Sequence, residues 1–294
     1  MDKVLRIRRF QVRPEEVLII ANGVKKESMP LSKEIEDYLD EHQIRHSTIM
    51  TMSTSDDISI PYSTDFVISL GGDGTVLYVA RKVHELGLPI LPVNLGTFGY
   101  ITEVGKNEWR EAFERYLNVG DNLSRRLMLK VSVTRKKKKI FSSYALNEAT
   151  VSSSGTSKVV KLELDLDNTY SGLFKADGII VATPTGSTGY SLAAGGPILM
   201  SDISAFIITP ICPFTLSNRP LVTGSETNCT IKVAEGQRTG VVLSVDGQVS
   251  IDLEEGDEVN IEKSRSKALL ILSHKRNYIE VIRDKLNWSG EMHA

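Results

Sequence analysis

Phe66-Val-Ile-Ser-Leu-Gly-Gly-Asp-Gly-Thr75-Val-Leu-Tyr-Val-Ala-Arg-Lys-Val83 switches from one kind of periodicity to another, and that switch decides the fold. Phe66–Leu70 reads as a buried strand ended by two glycines. From Thr75 to Leu86 the apolar residues Val76, Val79, Ala80 and Val83 return to helical spacing. The same alternation extends in both directions. Upstream, Val17–Ala21 is an apolar run of strand length, and Leu31, Ile35, Tyr38 and Leu39 follow at helical spacing. Downstream, Ile90–Val93 is a third strand, and Trp109, Phe113, Tyr116 and Leu117 mark another amphipathic helix. Strands alternating with helices imply a parallel sheet covered by helices.

From about Leu123 the pattern turns to β. Leu127–Val133, Phe141–Val151, Val159–Leu166, Ile179–Thr183, Thr230–Val233, Val241–Val245 and Val259–Glu262 are short strand candidates separated by turn residues. The strict alternation in Lys161–Asp167 implies one buried face. The expected architecture is therefore an α/β unit over 1–122, a mostly β, sandwich-like unit over 123–271, and a segment 272–294. After a strand at Leu269–Leu272, that segment carries a helix near Asn277–Leu286.

Composition bounds the function classes. The 294 residues are 41% hydrophobic and 24% charged, with a formal net charge of -2. Such a chain has apolar residues for a sizeable core, and its length suggests two domains. Its balance gives no reason to expect nucleic acid or an anionic membrane as partner. The basic run Arg135–Lys139 lies between two strand candidates and reads as a solvated hairpin tip. No apolar stretch reaches the roughly 18 residues of a membrane-spanning helix. Lys3, Arg6, Arg8, Arg9 and Arg13 faintly suggest a transit peptide. Asp2, the absence of a Ser-rich body and the strand at Val17 argue against one. Two cysteines, Cys212 and Cys229, have no Cys/His spacing around them, which points to a reduced, cytoplasmic protein rather than a disulfide or zinc framework.

Gly71-Gly-Asp-Gly-Thr75 carries the strongest chemical signal. Free backbone N–H groups gather where a helix opens, and glycine lets an anion approach them. The lysine of a P-loop and the spaced glycines of a Rossmann fingerprint are both absent. The competing reading is a tight turn with Asp73 or Thr75 as an N-cap. The carboxylate is the odd member, because an anion-binding turn avoids negative charge unless that charge handles a proton or a metal. A second signal is Ala182–Pro197, where a strand runs into Pro184 and a short helix begins near Ser187. Thr185, Ser187 and Thr188 supply hydroxyls there, Gly186 admits a close ligand, and Tyr190 offers a flat face for a purine; a hydroxyl-rich cap with a core tyrosine is the alternative. Asn147-Glu148 and Asp177-Gly178 add polar pairs at strand positions, suited to ribose hydroxyls or to bulges and turns.

Together these motifs resemble the NAD kinase family over nearly the whole chain. The elements in order are Gly71–Thr75, Asn94–Gly99, Asn147-Glu148, Asp177-Gly178, Thr183–Tyr190, Arg219–Val222 and Asp246–Gln248, followed by the tail Lys285–Trp288. Gly-Gly-Asp-Gly alone is also shared with phosphofructokinases and with diacylglycerol and sphingosine kinases. The resemblance implies ATP (or polyphosphate) as phosphoryl donor, a divalent cation such as Mg2+, a homodimer or homotetramer, and a carboxy-terminal helix returning to the first domain. It implies Asp73 as proton acceptor at the ribose 2′-hydroxyl, with Gly72 and Gly74 beside the phosphates. Asn147, Thr188, Gly189, Tyr190, Ser191 and Ala193 would line the dinucleotide pocket. Glu148 and Asp177 would hold ribose or nicotinamide groups, and Lys158, Lys175 and Gln248 would add contacts. Gly189 and Phe98 depart from the family's usual alanine and leucine. A lipid kinase, a non-catalytic dinucleotide sensor and a phosphofructokinase-like sugar kinase are the rival readings. The first would want a membrane-facing surface, the second has no need of Asp73, and Thr183–Tyr190 weighs against the third.

Overall fold

The computed structural model describes residues 13–96, 99–155, 158–215 and 217–286. The basic residues Lys3 to Arg9, Phe98 and the tail from Asn287 onward lie outside the described residues.

The first half folds on the expected alternation. β1 (Glu16–Asn22), β3 (Phe66–Gly71) and β4 (Pro89–Asn94) are the three apolar runs. α1 (Ser28–Glu41), α2 (Asp73–Val83) and α3 (Trp109–Asn118) are the three amphipathic stretches. The strand β2 (Arg45–Thr51), with sequence Arg-His-Ser-Thr-Ile-Met-Thr, was not foreseen. It is an edge strand with one neighbour, mostly half-exposed, so it lacks an apolar run. β5 (Val104–Gly105), β6 (Leu123–Arg126) and β19 (Ala268–Ile271) complete this sheet in the order β2-β1-β3-β4-β19-β6, with β5 on β4. Every pairing is parallel except β19 with β6. The sheet thus recruits a strand just past residue 122 and another from near residue 270. α1 and α3 bury one face through Ile35, Leu39, Trp109 and Phe113, and α2 buries the other through Val76, Val79 and Val83.

The β-rich part is two six-stranded sheets packed face to face. One runs β11-β10-β15-β18-β7-β8, from β7 (Leu129–Arg135), β8 (Lys138–Ala145), β10 (Val160–Leu166), β11 (Thr169–Ala176), β15 (Cys229–Val233) and β18 (Glu258–Lys263). The other runs β14-β13-β12-β9-β16-β17, from β9 (Glu148–Ser153), β12 (Gly178–Ala182), β13 (Ala205–Ile211), β14 (Leu221–Gly224), β16 (Val241–Val245) and β17 (Val249–Leu253). Val131, Leu162 and Ile231 of the first interleave with Val151, Val181 and Leu243 of the second in one fully buried cluster. The single strand expected over Phe141–Val151 is instead two strands in different sheets. The chain crosses between them at Leu146-Asn147. Arg135–Lys139 is the expected hairpin, with Lys136 and Lys137 at φ 48° and 65° in the turn.

α5 (Tyr278–Leu286) follows β19 and buries Val281 and Ile282. Just before it, Arg276 donates to the Glu103 carbonyl at 3.0 Å and to the Glu108 carboxylate at 2.8 Å. The carboxy-terminal segment therefore returns to the first sheet, as expected. Among the described residues no helix is long and apolar enough to cross a membrane.

Candidate functional site

Strand order places the glycine turn. From β1 the chain moves outward to β2, then crosses back to β3 and on to β4. The crevice beyond the carboxyl ends of β1 and β3 is the switch point where α/β sheets bind ligands. Gly72 caps α2 there without any side-chain cap bond, so the N-cap reading of Asp73 and Thr75 does not hold. Asp73 turns instead to the loop after β4. Its Oδ2 accepts the Tyr100 N–H at 2.8 Å. Its Oδ1 accepts the N–H groups of Ile101 (3.3 Å) and Thr102 (3.0 Å) and the Thr102 hydroxyl (2.7 Å). Oδ1 is fully engaged, whereas Oδ2 keeps acceptor capacity.

The Asn94–Gly99 element builds this socket. The Asn94 amide donates to the Thr102 hydroxyl at 2.8 Å and accepts the Gly96 N–H at 2.6 Å, while the Leu95 N–H bonds the Gly71 carbonyl at 2.9 Å. Gly99 lies against Asp73 so closely that a Cβ there would sit 1.8 Å from Oδ1.

The second half of the site is the crossing at Asn147. The N–H groups of Leu146, Asn147 and Glu148 all donate to the Asp246 carboxylate, at 3.0, 2.8 and 3.1 Å. The Asn147 carbonyl accepts the Thr183 N–H at 2.8 Å. Gly186 packs on that same peptide, where a Cβ would fall 2.2 Å from the Asn147 carbonyl oxygen. Its glycine is required by backbone packing, not by approach of a ligand as its sequence position suggested. Among the described residues, three buried polar atoms around this corner have no hydrogen-bond partner: Asn147 Oδ1, Glu148 Oε2 and Thr185 Oγ1. Such atoms are costly unless something outside the chain satisfies them. Gly189 borders the same corner, its Cβ position 3.1 Å from Glu148 Oε2 and 3.5 Å from Asn147 Nδ2.

Thr188 is buried, whereas Tyr190 is 47% exposed at the head of the short helix α4 (Tyr190–Ala193). Ala193 is exposed at its end. Ser191 is buried behind, paired with the Thr209 hydroxyl at 2.9 Å, and Ser187 accepts the Leu199 N–H at 2.8 Å. Gln248 ties the two halves together. Its Nε2 donates to the Gly74 carbonyl at 2.7 Å, and its Oε1 accepts from Arg81 at 2.8 Å.

Burial dominates the electrostatics. It pushes the Glu148 carboxyl up to about 8, helped by the Asp246 charge. Asp246 rises to about 6 through burial, against the opposing pull of three amides and Arg81.

Asp177 stands beside Ser153, at the opposite end of the β9–β12 ladder from the Ala182↔Glu148 pair. Five residues of strand, at ~3.3 Å each, put it about 17 Å from Glu148. Exposed Lys158 lies near Gly155 at that end, and exposed Lys175 lines a groove with Lys161 and Lys232 on the neighbouring sheet. One chain does not bring these three residues to Asp73.

Sequence reasoning passed over four residues. Lys25 reaches from the loop after β1 into the crevice, its Nζ 3.8 Å from the Cβ position of Gly72 and 3.4 Å from that of Gly96. Nothing in the sequence separates it from its neighbour Lys26. Thr102 and Tyr100 hold Asp73 from a loop without periodicity, and Arg81 reads as an ordinary helix-end charge.

Among the described residues no group of three or more His, Cys, Asp or Glu could hold a metal ion. A divalent cation fits here only when carried by a polyanionic ligand, with Asp73 Oδ2 as the nearby carboxylate oxygen.

The chain's likenesses agree with this geometry. Residues 57–122 match the ATP-NAD kinase N-terminal domain, and residues 146–273 the ATP-NAD kinase C-terminal domain. It is 41% identical to the NAD kinase of Treponema denticola, over 94% of this chain and 97% of that one. It is 39% identical to the NAD kinase of Geotalea daltonii, over 88% and 90%. The yeast NADH kinase complexed with NADH shares its fold, with a TM-score of 0.85 and 24% identity over 96% of this chain and 90% of that one. An Archaeoglobus fulgidus NAD kinase in complex with ATP superposes with a TM-score of 0.73 at 25% identity, over 92% and 98%.

Proposed function

The chain belongs to the NAD kinase family, and from that we propose that it transfers the γ-phosphate of ATP to the 2′-hydroxyl of the adenosine ribose of NAD, giving NADP and ADP. The observation that carries this reading is the facing pair of half-sites. A carboxylate fixed in a socket beside a glycine turn opposes a corner of buried, unsatisfied amide, carboxyl and hydroxyl groups.

In this mechanism Asn147, Glu148, Thr185 and Thr188 hold the dinucleotide through its hydroxyl and amine groups, and Tyr190 covers the adenine. Gly189 leaves room beside Glu148 Oε2. Asp73 directs the 2′-hydroxyl in line with the γ-phosphorus. As the new P–O bond forms and the bond to the β-phosphate oxygen breaks, the hydroxyl proton passes to Asp73. A carboxylate is a weak base for a sugar hydroxyl, but in a loose transition state the proton leaves late, when that oxygen has become acidic. The amides of the turn at Gly72 and Gly74, with Lys25 above them, offset the charge on the transferring group. A magnesium ion bound to the triphosphate would supply further charge neutralisation.

We place the protein in the cytoplasm, a reading supported by its two free cysteines. A homo-oligomer is supported by the remoteness of Lys158, Lys175 and Asp177, which a second copy could present to the same ligand.

The test is NADP formation from NAD, ATP and magnesium beside an Asp73→Asn control. General-base help is worth about 100- to 10,000-fold, so turnover should fall within that range. A fall below about tenfold would remove Asp73 from the role. No turnover by folded wild-type protein with NAD or NADH, and ATP or polyphosphate, would move the dinucleotide-sensor reading to the front.

A further inference from the structure

The two halves of the site sit on different sheets, and something must fix the gap between them. The β16–β17 hairpin enters that gap. Val245 pairs with Val249, so the turn is Asp246-Gly247-Gln248, and its first two residues have φ 52° and 65°. Successive left-handed residues of this kind suit Asp-Gly. The Asp246 side chain points inward and is fully buried. It gathers the N–H groups of Leu146, Asn147 and Glu148, which lie where the chain leaves one sheet for the other. Its own N–H closes the ring on the Glu148 carbonyl at 2.9 Å.

Arg81 meets the hairpin from the other side. It stands eight residues after Asp73 on α2, about two turns along. Its side chain is 9% exposed; Nη2 donates to Gln248 Oε1 at 2.8 Å, and Nη1 lies 3.8 Å from Asp246 Oδ2. Gln248 Nε2 then returns to the Gly74 carbonyl in the first turn of α2 at 2.7 Å. The circuit runs from the catalytic turn through Gln248 and Arg81 to Asp246, and from there to the three amides of the ribose-binding corner. The Arg81 and Asp246 side chains are buried and the Gln248–Gly74 bond lies at the surface, so the circuit is firm at the hairpin and closes on α2 through one exposed bond.

We propose that Arg81, Asp246 and Gln248 form a strap that sets the distance between Asp73 and the Asn147–Glu148 corner. They are positioning residues for phosphoryl transfer and do not touch the reacting atoms. The inference rests on the kinase reading for its purpose. It also gives Gln248 a task besides the ligand contact that family resemblance implies: each heteroatom of its amide is bonded once within the chain and keeps one further position. Displacing a reacting group by ~1 Å costs about 100-fold in rate, so a slack strap should be read in turnover.

The variant of choice is Gln248→Leu, which keeps the hairpin turn and the Asp246 cage. The expected result is a kcat about 10- to 100-fold lower, with KM for NAD and ATP within about threefold and an unchanged melting temperature. In an Asp73→Asn background the same substitution should add almost nothing, because the strap acts through Asp73. Arg81→Met should lower kcat alike but also lower the melting temperature, because it leaves Asp246 buried without its cation, and Arg81→Lys should recover part of both losses. An unchanged kcat, a loss confined to the KM for NAD, or full additivity with Asp73→Asn would each overturn the strap. Amide hydrogen exchange reads the device without turnover: Gln248→Leu should speed exchange across Gly72–Ala80, where it releases the Gly74 carbonyl. Unaltered exchange there sinks the strap even if the enzyme is a kinase. Wild-type protein that makes no NADP sinks the kinase reading and leaves the exchange result standing.

Discussion

Asp73 is held by four donors from a single loop, and the loop can come that close because residue 99 has no side chain. The carboxylate fills the space in which a Cβ would stand, with Oδ1 at 1.8 Å, Cγ at 2.2 Å and Oδ2 at 2.3 Å. Alanine at this position leaves two outcomes. Either the loop retreats and Tyr100, Ile101 and Thr102 lose their bonds to Asp73, or Asp73 turns away from the crevice. Both move the Asp73 carboxylate, and the loop's retreat reaches the core at Ile101 alone. Gly99→Ala should therefore lower kcat about 100-fold, the cost of a misplacement near 1 Å, with cooperative unfolding retained. Steady-state kinetics beside a thermal melt checks this. A variant with normal kcat would show that the socket is not needed for turnover. The sequence displayed Asp73 as an anomaly within a glycine turn, but its partners come from residues 100 to 102, where no periodicity marks them. A contact made by backbone amides across a loop leaves no trace in residue type.

Among the elements, β9 carries most of the site because of where it begins. Its first residue, Glu148, enters the sheet directly from the crossing, so its carboxyl is buried at the ladder's end with Oε2 unpartnered. Burial raises Glu148 from 4.5 to about 8, and Glu103 behaves alike, rising to about 7. An acid whose folded pKa is raised binds its proton more tightly when folded. The native state then holds more protons than the unfolded chain between those two values, and stability falls as pH rises through that window. The ligand-free protein should therefore melt at progressively lower temperature from pH 5 to pH 9. Glu148→Gln should flatten that decline, leaving the share due to Glu103 and Asp246, and should melt above wild type at pH 9. Calorimetry across the range decides it; a variant whose decline matches that of wild type would mean that Glu148 pays no burial cost.

The strands β1, β3, β4, β10, β12 and β16 were legible as apolar or alternating runs. β2, β11, β13, β14 and β17 were not. Edge strands such as β2, β11, β14 and β17 need less apolar sequence because one side or face stays wet, and β13 carries Pro210 within its run. Phe141–Val151 reads as one strand because it holds no Gly or Pro, and Asn147 is its lone Asn or Asp. The break is set by Asp246, a hundred residues away.

At the level of the whole molecule, chain order and spatial order disagree. The first sheet takes β6 just after residue 122 and β19 only after the entire β-rich part has been made. β19 pairs with both β4 and β6. Its Ile271 joins one face of the core, and Ala268 and Leu270 join the other. A piece that stops at residue 122 therefore lacks two strands and leaves the edge of β4 open at Pro89 and Ile90, with β5 still on its other end. It exposes apolar groups that the remaining helices cannot cover, and an open parallel edge is a poor template for anything but aggregation. The two packed sheets are in the opposite position. Their shared core draws wholly on strands from β7 to β18 with the residues adjoining them, and both termini of that stretch lie where the chain enters the first sheet. A fragment of residues 127–267 should unfold cooperatively in urea, whereas residues 1–122 should show no cooperative transition. Restoring 123–126 and 268–286 to the latter by a circular permutation should recover one, because it returns both missing strands and the segment carrying Arg276. If residues 1–122 fold alone, β19 is an accessory strand and the discontinuous unit is a matter of packing rather than of folding.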